Sequence, residues 1–194
     1  MNPIGRIMNT HVDYEINKGL GEYYLFMGDL EKALTYYNKA LAISSERAEA
    51  YLGLATVAVQ RNELETAAEH YARAAVLAPS DKAYAGLALV EMELGRHDAA
   101  FEHFGAALVE NPTNMFALNG LVQEAYFRSR LDEALPHLEN ALTVSDTEAL
   151  RYALAGCLAA LGRDEEAKKQ LEFLLGSNPQ HANAQELYAR VSAA

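Results

Sequence analysis

The sequence has one cysteine, no tryptophan and five prolines among 194 residues. A single cysteine excludes an intrachain disulfide. Cys157 sits among Ala155, Gly156, Leu158 and Ala159, where a largely buried, inert thiol is expected. Scarce proline and abundant alanine suit closely packed helices better than sheet. No run of 18 apolar residues occurs, so membrane insertion is not expected. The start, MNPIGRIMNTHVDYE, lacks an apolar run of signal-peptide length, which makes a cytoplasmic location the expectation; a leader already cleaved would leave no trace. Basic residues are the minority, 16 Lys and Arg against 27 Asp and Glu, for a net charge of −11. That balance argues against nucleic acid and against an anionic membrane surface as partners. Chemistry-bearing motifs are missing too: no phosphate loop, no paired-cysteine metal site and no HExxH. Gly19-Leu20-Gly21 follows no strand and fails the dinucleotide-binding spacing. Without a nucleophile, base and orienting group in one constellation, the expectation is no enzyme, no cofactor and no metal.

What is present is repetition. The stretch GDLEKALTYYNKAL from Gly28 returns as NELETAAEHYARAA from Asn62 and GRHDAAFEHFGAAL from Gly95. It returns again as SRLDEALPHLENAL from Ser129 and GRDEEAKKQLEFLL from Gly162. These starts, at 28, 62, 95, 129 and 162, lie 34, 33, 34 and 33 residues apart, a period that marks a solenoid of repeated helix pairs.

Each repeat reads as two helical segments divided at Gly28, Asn62, Gly95, Ser129 or Gly162. Gly and Asn tolerate the left-handed conformation that ends a helix, and Ser129 is the less favourable exception. Pro79, Pro112 and Pro179 stop second helices, while Ser45 and Asp146 are expected to cap the next helix at the two remaining links. Pro136 lies near the start of its helix. Columns recur at fixed places: Leu20, Leu54, Leu87, Leu121 and Leu154 in the first helices, then Ala33, Ala67, Ala100, Ala134 and Ala167 in the second. A further small column, Ala40, Ala74, Ala107 and Ala141, is broken by Leu174, and Tyr37, Tyr71, Phe104, Leu138 and Leu171 supply bulk. Small residues let helix axes approach, and large ones fill the space beside them.

This pattern over residues 14–181 resembles the tetratricopeptide repeat (TPR) family. Leu54, Ala55, Ala67, Tyr71, Ala74 and Pro79 carry the likeness in repeat two, and Leu87, Ala88, Ala100, Phe104, Ala107 and Pro112 in repeat three. The family's Trp is replaced by Asn17, Tyr51, Tyr84, Leu118 and Arg151. The resemblance implies an all-α fold, a right-handed superhelical α-solenoid of five repeats at about 14–47, 48–80, 81–114, 115–147 and 148–181. Residues 1–13 form an N-terminal extension or arm, in which Asn2-Pro3 can open a helix and Ile4, Ile7, Met8 and Val12 fall near one face. Residues 182–194 read as a capping helix with Leu187, Tyr188 and Val191 inward.

The resemblance also implies that first helices line a concave, ligand-binding groove. The residues expected there are Leu52, Thr56, Leu89, Met92, Phe116, Asn119, Gln123, Tyr126, Phe127 and Tyr152. Charge fades along the groove: its N-terminal half mixes Glu and Lys, such as Glu15, Lys18, Glu22, Glu49 and Lys82, while its C-terminal half is neutral and aromatic, as in the anchors that dominate interface energies. Asn119 and Gln123, one turn apart, suit a peptide main chain. Gly19, Gly53, Gly86 and Gly120 form a column with two readings: room for a ligand backbone, or tight packing on a neighbouring helix. His70, His103 and His137 form another, too widely spaced for one metal ion at about 10 Å per repeat. Some family members grip a chaperone's terminal carboxylate, but here only Lys18 and Lys82 fit that clamp, with Glu22, Gly53 and Gly86 against it. The expected function is a non-catalytic protein–protein interaction scaffold or adaptor whose groove binds an apolar or amphipathic segment. Two alternatives stand beside it: a homo-oligomer in which the arm docks on a neighbouring copy, and a regulatory or chaperone-like subunit of a larger enzyme or secretion system.

Overall fold

The structure is a computed structural model that describes the backbone of residues 3–193 and the side chains of residues 10–193. Among the described residues it holds eleven helices and no strand. They are α1 (Pro3–Phe26), α2 (Leu30–Ile43), α3 (Ala48–Gln60), α4 (Leu64–Leu77), α5 (Asp81–Glu93) and α6 (His97–Glu110). There follow α7 (Met115–Phe127), α8 (Leu131–Val144), α9 (Glu148–Ala160), α10 (Asp164–Ser177) and α11 (Ala182–Ser192). This is the all-α helical repeat fold. The first helices α3, α5, α7 and α9 each have 13 residues, whereas α1 has 24 and runs without a break from Pro3 through the arm. The side chains of Ile4, Ile7 and Met8 lie outside the described residues, and Val12 is exposed.

The turn inside every repeat closes the same way. Gly28, Asn62, Gly95, Ser129 and Gly162 all have positive φ, between 57° and 76°. In repeat two the Asn62 N–H donates to the Val59 carbonyl and the Glu63 N–H to the Ala58 carbonyl, at 3.0 and 2.9 Å. The same crossed pair recurs at all five turns and satisfies carbonyls that a helix end leaves orphaned. Links between repeats are more varied. Ser80, Asn114 and Thr147 cap α5, α7 and α9 by accepting from the N–H three residues on. The expected caps Ser45 and Asp146 do not form. Arg47 is the N-cap of α3 without a side-chain bond, and the Ser45 carbonyl instead accepts from the Tyr51 hydroxyl. Asp146 is one residue too early, so Thr147 caps and Asp146 pairs with Arg151 at 2.6 Å. Pro136 is the sixth residue of α8, past the turn whose N–H groups are free; it removes an internal bond, yet α8 continues through it.

The core is the alanine and bulky columns. Ala33, Ala67, Ala100, Ala134 and Ala167 are fully buried, and so are Ala40, Ala74, Ala107 and Ala141 with Leu174 in the same column. The described residues divide into two compact units, up to His103 and from Phe104. In the first, α1 packs on α2, α2 on α3, α3 on α4 and α4 on α5. A core cluster of Tyr14, Ala33, Tyr37, Ala40, Ala50, Leu54 and Val57 joins its first three helices. In the second, α7 packs on α8, α8 on α9, α9 on α10 and α10 on α11. Leu187 and Val191 of α11 are buried as expected of a cap, while Tyr188 stays half-exposed with its hydroxyl donating to Glu172.

Candidate functional site

Three of the four glycines in the column, Gly53, Gly86 and Gly120, serve packing rather than room for a ligand. An ideal Cβ on Gly53 would lie 2.2 Å from the Tyr37 ring, on Gly86 2.4 Å from Tyr71, and on Gly120 2.4 Å from Phe104. Each ring belongs to the second helix of the preceding repeat, and only a missing side chain lets it seat there. Repeat five has Ala153 at this place, and there the preceding bulky residue is Leu138 rather than a ring.

The histidine column is explained by the positions where the family's Trp is missing. Tyr51 meets the His70 ring at 6.1 Å, and Tyr84 stacks on His103 at 6.1 Å and 15°. Arg151 donates to Gln170 at 2.9 Å in repeat five. In these three repeats the two columns pair across the helices of one repeat, 19 residues apart each time, which neither column showed by itself. His103 Nδ1 also lies 2.6 Å from the buried carboxylate of Glu91. Among the described residues no group of His, Cys, Asp and Glu gathers that could hold a metal ion, and no helix is long and apolar enough to cross a membrane.

In the second unit, α7, α9 and α11 surround an open cavity of about 630 Å³. Helix α7 presents Asn119, Val122, Gln123 and Tyr126, spaced three and four residues apart so that one face carries them all. Phe127 follows at its end, and Leu131 of α8 borders the cavity. The α9 wall is Tyr152, Ala153, Gly156, Cys157 and Ala160. Its small side chains are why space remains: nothing lies within 4 Å of where a Gly156 Cβ would be. Tyr126 and Phe127 are 64% and 75% exposed, their rings edge to face at 6.2 Å. Tyr152 is half-buried and packs on His181 at 5.4 Å, while His181 Nδ1 caps α11 by accepting from the Ala184 N–H. Cys157 is 4% exposed, and burial pushes its thiol up to about 11, so it remains a neutral wall residue.

Five of the ten expected groove residues therefore meet in one place: Asn119, Gln123, Tyr126, Phe127 and Tyr152. Phe116 is exposed but lies outside the cavity, with its ring against Phe104 at 6.2 Å. Leu52, Thr56, Leu89 and Met92 belong to the first unit and are half-buried. Leu52 packs on the alanines of α3, α4 and α5, and the Thr56 hydroxyl donates to the Leu52 carbonyl at 2.9 Å. The wall that sequence reasoning missed is α11, with Asn183, Glu186, Leu187 and Arg190. Their spacing of three, one and three residues puts them on one face, a signal present in the sequence but absorbed into the expectation of a cap. Glu186 and Arg190 make no ion pair among the described residues, so this end of the site is polar rather than neutral.

Comparison with known proteins gives the same architecture. One profile described as tetratricopeptide repeat matches residues 18–82, and a second with that description matches residues 128–191. Among solved structures the chain is similar to pilF of Pseudomonas aeruginosa, at 20% identity over 95% of this chain and 85% of that one, with a TM-score of 0.67. It is similar to YrrB, described as a TPR protein with an unusual peptide-binding site, at 21% identity over 95% and 97% of the two chains, TM-score 0.63. The MamA protein is a further match, at 20% identity over 88% and 94%, TM-score 0.67. Likeness at this identity speaks for the fold. The sequence matches none of the curated proteins compared with it. With five copies of one helix pair, each closed by the same crossed turn, and two repeat profiles along its length, the chain belongs to the tetratricopeptide repeat family.

Proposed function

We propose that this protein is a non-catalytic adaptor whose cavity between α7, α9 and α11 takes an apolar or amphipathic segment of a partner protein. TPR chains are in general protein-interaction scaffolds, which supplies the class. The finer reading rests on one observation: two large rings, Tyr126 and Phe127, stand exposed beside a cavity floored by Ala153, Gly156 and Ala160. Holding such rings in water has a free-energy cost that a partner's apolar side chain removes, and small floor residues leave it somewhere to go. Asn119, Gln123 and Asn183 line the same space with amides suited to a bound main chain. A described relative fold with a peptide-binding site, YrrB, is consistent with this use.

The test fills the cavity without touching the core. A Cβ at Gly156 would have nothing within 4 Å and leucine improves helix propensity, so Gly156→Leu should fold, as its thermal midpoint checks, while its side chain enters the cavity. Peptides selected from a display library on the full chain should bind the parent and lose tenfold or more in affinity on Gly156→Leu, about 1.4 kcal/mol. Tyr126→Ala and Phe127→Ala should each weaken the same peptides by a similar factor. Selected peptides that bind Gly156→Leu and both ring variants as well as the parent would remove the proposal.

A further inference from the structure

A second apolar surface lies on α1, in the first unit. Val12, Ile16, Gly19, Tyr23 and Phe26 are spaced four, three, four and three residues apart, which aligns them in one stripe about 21 Å long. Val12, Ile16, Tyr23 and Phe26 are 52%, 54%, 55% and 87% exposed, and nothing lies within 4 Å of a Cβ placed on Gly19. A lone exposed Leu or Val has no special meaning, but five aligned positions on one helix form a seam.

The chain itself shows what fits such a face. Ile16, Gly19 and Tyr23 stand where repeat two has Ala50, Gly53 and Val57 and repeat three has Ala83, Gly86 and Val90. In those repeats the flanking residues are buried to 1% or less, and the glycine is covered by the ring of Tyr37 or Tyr71 from a preceding second helix. On α1 the glycine dimple is kept while its neighbours become larger and face solvent.

Charge narrows the occupant. Asp13, Glu15 and Glu22 border the stripe, with Lys18 as the one base on that length of α1. Lys18 lies 3.1 Å from Glu15 and 3.8 Å from Glu22, and Arg47, from the link before α3, lies 2.8 Å from Glu15, so three carboxylates face two bases and the border stays net acidic. Two copies of α1 paired antiparallel about Gly19 would set each Glu15 beside the other copy's Glu22, so self-pairing is opposed by like charge. We propose that this stripe docks one amphipathic helix of a partner protein, which sets an aromatic side chain over Gly19 and carries basic residues on its flanks.

The probe is taken from the chain. Residues 30–43, the α2 sequence, present Tyr37 to a glycine natively and carry two lysines and one glutamate. Residues 64–77, the α4 sequence, present Tyr71 but carry two glutamates and one arginine. Each is made as a stapled, fluorescent peptide, because a helix this short is marginal alone, and titrated with the full chain. The α2 peptide should bind saturably, roughly tenfold tighter than the α4 peptide or a Tyr37→Ala version of itself. Gly19→Leu in the protein fills open space, so it should fold normally and yet abolish binding, whereas Phe127→Ala and Gly156→Leu should leave this binding unchanged. Absence of saturable α2 binding, or binding that persists on Gly19→Leu, overturns the proposal. Light scattering that shows a dimer broken by Gly19→Leu also overturns it, since a second copy would then be the occupant.

Discussion

At the scale of single residues, glycines of one column have opposite roles. Gly53 and Gly120 lie under aromatic rings, so Gly53→Ala or Gly120→Ala forces a ring to move. The expected loss is about 1–3 kcal/mol, from overpacking. Gly19 faces open space, and Gly19→Ala should instead gain about 0.5–1 kcal/mol from helix propensity. Urea unfolding of the three variants checks this, and a shared sign would contradict the packing account. Ser129, like Asn62, is a non-glycine residue held at positive φ. Its φ of 57° is left-handed, a region in which a Cβ costs about 1–2 kcal/mol, so Ser129→Gly should raise the thermal midpoint.

At the scale of elements, the half-buried rings of His70 and His137 make stability sensitive to pH. Burial lowers His70 below the ordinary imidazole value, with Glu69 opposing, and burial lowers His137 as well. The unfolded chain therefore takes up these protons at a higher pH than the folded one. Their contribution is complete above about pH 6.5 and is lost as the pH falls through the acidic range below it. Thermal midpoints between about pH 5 and 7.5 should drop toward acid, and His70→Gln with His137→Gln should flatten that drop; an unchanged slope would exclude them as its source. Helix α11 works at this scale too, because it closes the end of α10 and forms one cavity wall. Leu187 is 6% exposed and touches both tasks. Leu187→Ala should cost about 2 kcal/mol or more, and should weaken groove ligands beyond what lost stability explains, as comparison of Kd with unfolding free energy can measure.

At the scale of the whole chain, the helical architecture was legible in sequence because packing has to repeat. Each helix pair presents the same small and large positions to the next, so the columns of Ala33 and Tyr37 recur and can be read without coordinates. The candidate site was legible only in part. Asn119, Gln123, Tyr126, Phe127 and Tyr152 were found by helical spacing, but Phe116 shares that spacing and turns to Phe104 instead. Leu52 and Thr56 are likewise taken up by local contacts in the first unit.

The sequence by itself determined the period, the all-α class, the turn positions and the family, since these rest on local backbone preference and on a pattern copied five times. Only the tertiary structure decided what the non-repeating residues do. It assigned Gly53, Gly86 and Gly120 to ring packing, paired His70 and His103 with the tyrosines in place of Trp, and brought α11 into the cavity as a wall. It also left the α1 stripe uncovered. The physical reason is that burial depends on which neighbour arrives at a face, and a face without a repeat beside it has the same spacing in sequence as one that is covered.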